Sequence, residues 1–203
     1  MARILVAGIV GGFLLFFWGF VSHVVVRIGE IGVSSLDSAE ADAAVVRGLQ
    51  DNIVAPGLYF IPGVHDAGLT GDAKEKAVEA FAGSYEEGPT AFLAYHPMDQ
   101  TPMSPRQLGI QFVICVVAAT IAALLLCFAK NSLKSYVHRV VFVLGLWLLM
   151  YLYSEVPYWV WYRFPTDFMI GVLLGQGIGF LLLGLALAAI LKPTAMNEKP
   201  AAV

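Results

Sequence analysis

Four long apolar stretches, residues 4–26, 108–129, 140–158 and 168–191, constrain this chain more than anything else in it. A hydrocarbon core about 30 Å thick takes roughly 20 helical residues at 1.5 Å each, so every stretch is long enough to cross one. Short turns join the last three stretches, whereas residues 28–106 separate the first from the second. The expected fold class is therefore an all-α transmembrane four-helix bundle with a small external α/β segment between helices 1 and 2. The expected boundaries are a first helix over 1–27, the external segment over 28–106, helices over 107–130, 137–160 and 166–191, and a tail over 192–203.

Only 13% of residues are charged and 59% are hydrophobic, far from the soluble norm of about 25% charged. The net charge of −3 hides an asymmetry, because most acids fall in the external segment. That distribution speaks against a nucleic-acid partner. Arg3, Lys130, Lys134, Arg139 and Lys192 all fall on one side of the four spans, and basic residues hold short loops in the cytoplasm. This places both termini inside and 28–106 outside, in the periplasm if the membrane is a bacterial inner membrane. The first apolar run is longer than the about 7–15 residues of a signal peptide and lacks a small-x-small cleavage site before His23, so it reads as a retained helix. Cys115 and Cys127 lie twelve residues apart on one helix, about 18 Å, beyond disulfide reach.

Gly8 and Gly12 in the first span, and Gly171, Gly175 and Gly179 in the fourth, recur every four residues. That spacing strips one helix face of side chains, so a neighbouring backbone can approach closely. Ala118, Ala119, Ala122 and Ala123 offer the same in the second span. The short connections predict that spans two, three and four are sequential antiparallel neighbours. Ser104 and Pro105 read as a cap and first-turn residue for span two. Tyr158, Trp159, Trp161, Tyr162 and Phe164 read as an interfacial aromatic belt.

In the external segment, Asp37 or Ser38 can cap a helix with an apolar face of Val45, Val46, Leu49 and Ile53, and Glu40 and Asp42 suit its positive end. Leu58–Ile61, flanked by Pro56-Gly57 and Pro62-Gly63, reads as a strand. A helix from about Asp72 to Phe81 and a strand over 91–95 follow, which repeats the order helix, strand. Such a segment is small for an independent core and is expected to form one unit with the membrane part. The phrases Pro56-Gly57-Leu58-Tyr59 and Gly88-Pro89-Thr90-Ala91-Phe92-Leu93-Ala94-Tyr95-His96-Pro97 resemble those of small uncharacterised bacterial four-span integral membrane proteins. The resemblance implies no activity and no residue roles.

Three groups of residues could carry chemistry. His96, Met98 and Met103, with His65, offer imidazole and thioether to a soft ion such as Cu(I). His23 and Glu155, near the outer aromatics, could form a quinol-binding or proton-handling pair, since acids within spans mark proton or substrate routes. The plainer alternative is snorkelling to the interface with ion pairing to Arg27 or Arg163; Glu30 and Asp167 lie at the same boundary. A haem held by two histidines is excluded by depth, because His23 and His138 lie close to the full membrane thickness apart. There is no Walker loop, H-E-x-x-H, G-x-S-x-G or paired-cysteine metal motif, and the spans look poor in polar groups at mid-depth, which disfavours a central transport site. No cofactor is assigned. The reading with most support is a non-catalytic accessory or assembly subunit of a larger membrane complex, with lipids and other membrane subunits as partners. A small membrane enzyme or carrier for a quinone or lipid is the main rival, and an external copper-handling protein the second.

Overall fold

The computed structural model describes residues 2–97, 101 and 103–193. The chain divides into two compact units, one of residues 1–34 with 102–203 and one of Ser35–Thr101. This corrects the expectation of one unit, and it moves residues 28–34 out of the external segment. The reason lies in Gly32, whose φ of +78° and missing side chain let the backbone lie against Phe168. Gly171 likewise leaves room for Ile28 and Ile31. The chain after the first span is thus fastened to the fourth.

In the first unit, α1 (Ala2–Phe20) runs into a π-helical turn, Val21–Val25, and a 3-10 turn, Ile28–Glu30. α4 (Pro105–Ala129), α5 (Tyr136–Met150), a second π-helical turn (Tyr151–Glu155), α6 (Val156–Tyr162) and α7 (Thr166–Ile190) complete it. Four helical stretches, Ala2–Val25, Pro105–Ala129, Tyr136–Tyr162 and Thr166–Ile190, are long and apolar enough to cross a membrane, which fits an integral membrane protein. Ser104 opens α4 with a capping box: its hydroxyl accepts from the Gln107 amide, and the Gln107 side chain accepts from the Ser104 amide. Two otherwise open amide groups are satisfied this way. The second π-helical turn has a cause in Pro157, whose ring would collide with the carbonyl four residues back and lacks an N–H to give it.

Spans three and four pair as expected, but span two lies along span one and not along span three. α4 lies along α1, α1 also along α7, and α7 along α5, while α4 and α5 touch little. The short turn between α4 and α5 brings their ends together without dictating which faces meet. Gly8 and Gly12 do dictate it: Gly8 faces Thr120, and a Cβ at Gly12 would come within 2.5 Å of the Val116 Cα. On α7, Gly184 lies against Val140 and Val143, and Gly177 against the Trp147 ring. The buried core gathers toward the end where α1 begins, in Ala7, Ala119, Ala122, Ala123, Leu126, Val143, Leu183, Leu187 and Leu191. Arg139, expected as an inner-surface charge, is 4% exposed. Its guanidinium donates to the carbonyls of Leu133, Lys134 and Ala188 at 3.2, 3.0 and 3.2 Å, tying α5 to the turn before it and to the last turn of α7.

The second unit contains α2 (Ala39–Asn52), β1 (Gly57–Ile61), α3 (Asp72–Glu87) and β2 (Ala91–Tyr95). Ser38 caps α2, accepting from the Ala41 amide at 3.1 Å. The strands form a two-stranded antiparallel sheet, with Gly57 opposite Tyr95 and Ile61 opposite Ala91. α3 runs six residues past the expected stop at Phe81, because its left-handed terminator is Gly88 (φ +64°), ahead of Pro89, and not Gly83. Phe60, Phe81 and Tyr85 gather between helix and sheet, with ring centres 5.7–5.8 Å apart. Among the described residues of this unit, none is buried.

Candidate functional site

Besides Arg139 at the core end, several hydrogen-bonded polar side chains of the helical unit gather toward the other end. Trp18 on α1 donates its indole N–H to the Gly175 carbonyl at 2.7 Å, reaching across the space that Gly179 leaves beside its ring. Tyr151 on the second π-helical turn donates its hydroxyl to the Met169 carbonyl at 3.0 Å. Ser22 is buried and donates to the Gly19 carbonyl. These bonds satisfy side chains and bind helices together, as expected where lipid supplies no alternative partner.

Glu155 belongs to the same collection. Gln176 donates Nε2 to its Oε1 at 3.3 Å. Gln176 stands ten residues into α7, roughly 15 Å along the helix axis, near mid-span. The acid is therefore turned inward from the boundary, in keeping with the backward tilt of helical side chains. This corrects the reading that the spans lack polar groups at mid-depth. The amide oxygen of Gln176 and the Trp147 indole N–H are both buried and, among the described residues, without hydrogen-bond partners. One acceptor, on the amide that holds Glu155, and one donor, on the ring beside Gly177, are thus left over.

His23 does not join Glu155. Its Nδ1 lies 2.9 Å from the Glu30 carboxylate, with both side chains largely exposed. An exposed pair of this kind contributes about 0–1 kcal/mol. Glu30 reaches His23 because the chain reverses at Arg27 in a left-handed conformation (φ 57°) and because Gly29 has no side chain to meet the imidazole ring. The pairing within one turn leaves Glu155 with Gln176 instead.

Beside this polar group, an apolar recess of about 210 Å³ lies between the α5–α6 segment and α7, lined by Tyr151, Val156, Trp159, Met169, Ile170 and Leu173. The Trp159 indole N–H donates to Thr166 Oγ1 at 3.2 Å across the outer turn. A recess walled by apolar groups and framed by an aromatic suits a hydrocarbon chain or flat ring.

The glycines meet helices and turns of the same chain: Gly8 and Gly12 face α4, Gly171 faces Ile28 and Ile31, and Gly179 faces Leu15 and Trp18, while Gly175 serves through its carbonyl. Of the thioether and imidazole group, Met98 lies outside the described residues. His65 and His96 belong to the second unit and Met103 to the first, and Met103 is exposed with φ 57°. No group of three or more His, Cys, Asp or Glu able to hold a metal ion occurs among the described residues.

Sequence reasoning overlooked Gln176, Trp147 and Trp18. The available signal was Gln176 itself, a lone amide in the middle of an otherwise apolar run. Comparison with known proteins finds no matching family, no similar curated protein and no similar solved structure.

Proposed function

We propose that this chain is a non-catalytic accessory or assembly subunit of a larger membrane complex, embedded through its four apolar helical stretches. One observation carries the reading. The Ser35–Thr101 unit holds two helices and a two-stranded sheet yet no buried residue among those described, while Val45, Val46, Leu58 and Val54 stand 49–90% exposed. A two-stranded sheet is marginal by itself, and an apolar surface of this extent marks an interaction site. A partner protein completing this unit supplies the missing core. The glycine faces give no such support, because they are used up by contacts within the chain. The basic residues favour cytoplasmic termini and a second unit on the opposite side, which is the periplasm if the membrane is a bacterial inner membrane. Purification in mild detergent tests the reading: companion polypeptides lost on substituting Val45 and Val46 by Asp support it, and a monodisperse lone chain counts against it.

A second reading, a small enzyme or carrier handling a quinone or lipid, is favoured by the Glu155–Gln176 bond within the span and the recess beside Tyr151. It proceeds without His23. Extraction of the purified chain in organic solvent tests it, with a stoichiometric quinone or lipid lost in Glu155→Leu as the supporting result.

A further inference from the structure

At the end of the first unit where α1 begins, a cavity of about 300 Å³ is lined by Arg3, Lys130 and Lys192, with Ile4, Cys127 and Leu191 as its apolar wall. The three cations come from three different helix ends: the first turn of α1, the residue closing α4, and the chain just past α7. We propose that this cavity binds the phosphate group of an anionic phospholipid. The proposal rests on the membrane embedding argued above, but not on the accessory role.

Three points carry it. First, among the described residues no acid lines the cavity, so the three like charges repel one another unless an anion enters. Secondly, Lys130 and Lys192 stand where a cation complements the partial negative charge of a helix C-terminus, but Arg3 stands in the first turn of α1, where the macrodipole disfavours one. An anion held among them, close to the open amides of α1, reverses that cost. Thirdly, the cations sit over an apolar wall, which matches a headgroup continuing into an acyl chain. Basic pockets between spanning helices on the cytoplasmic side take phospholipid headgroups in this manner. A free inorganic phosphate offers the same anion without the acyl chain.

The test uses the full chain, purified in mild detergent and titrated with phosphatidylglycerol, phosphatidylcholine or inorganic phosphate, with binding read by native mass spectrometry. A wild-type chain that fractionates without detergent would overturn the embedding itself, which separates that failure from failure of the site. Phosphatidylglycerol is expected to bind at one site, at least tenfold tighter than phosphatidylcholine. Lys130→Gln and Lys192→Gln should each weaken it several-fold, and R3Q with both should abolish selectivity. Lys134→Gln, a basic residue on the same side but outside the cavity, should leave binding unchanged. Equal binding of the two lipids by the wild-type chain overturns the proposal without recourse to any variant. Loss in Lys134→Gln equal to that in Lys130→Gln overturns it as well, and so does retention of inorganic phosphate with no bound lipid.

Discussion

Gly12 and Gly145 separate two roles that look alike in the sequence. A Cβ at Gly12 would strike the backbone of Val116, which cannot yield without parting α1 from α4, whereas nothing lies within 4 Å of a Cβ at Gly145. Gly12→Ala should destabilise the bundle by about 1–3 kcal/mol, the usual cost of overpacking, and Gly145→Ala should stabilise it by up to about 1 kcal/mol through helix propensity. Unfolding in detergent with increasing dodecyl sulfate, followed by circular dichroism, measures both. For the polar pair, Gln176→Leu should cost about 1–3 kcal/mol by stripping Glu155 of its donor, while Glu155→Leu with Gln176→Leu should recover most of the loss. A double-mutant cycle on the same unfolding curves checks this. Glu155 was legible as a candidate, but its partner was not. The spacing between residues 155 and 176 depends on how far the outer turn intrudes and on the π-helical turn that rotates the carboxyl, and neither is written in the composition of the spans.

At the level of elements, the helices of the Ser35–Thr101 unit were legible to within a residue where a side chain closes a backbone group, Asp37 or Ser38 at the start of α2. Ser38 caps α2 as its position before Glu40 and Asp42 implied, and β2 occupies 91–95 as read. The stop of α3 lies six residues later than read, because the apolar face ends near Phe81 while the backbone reverses only at Gly88, where φ is positive. Ser38→Ala should cost about 0.5–2 kcal/mol of helix stability, seen as earlier loss of far-ultraviolet ellipticity on heating. Glu40 sharpens the same point. Its own backbone amide, followed by the Ser38 hydroxyl, holds the carboxyl below its ordinary value of 4.5. A depressed folded value means that the contribution is complete above the unfolded pKa and fades as pH falls through the folded one. NMR titration of the full chain should show Glu40 as an early-ionising glutamate, and Ser38→Ala should move it upward. The pairing of the spans was less legible, since short turns identify which ends meet, whereas glycine depth identifies which faces do.

For the whole molecule, four apolar runs were enough to announce four helices and their class of environment, whereas the large interruption, read as one unit with them, forms a compact unit of its own. What they left open was the distribution of tight packing along the bundle, which depends on which small residues coincide across three interfaces. That distribution has a consequence for motion. Ala7, Ala119, Leu126, Val143 and Leu187 interlock at one end, and the Arg139 guanidinium fastens α5 to α7 there. The other end has fewer fully buried apolar residues, and beside the close approach of Gly32 to Phe168 and of Gly171 to Ile28 and Ile31 it is held by hydrogen bonds from Trp18, Tyr151 and Gln176. Regions with little buried apolar contact open first, so amides of residues 151–162 should exchange with deuterium well before those of 119–126 in detergent micelles. Uniform exchange along both would contradict this. If exchange follows that order, the bundle resembles a tuning fork held at the stem: any spreading of its prongs falls at the Glu155 end, while the stem, where Arg139 fastens α5 to α7, keeps the helix ends in place.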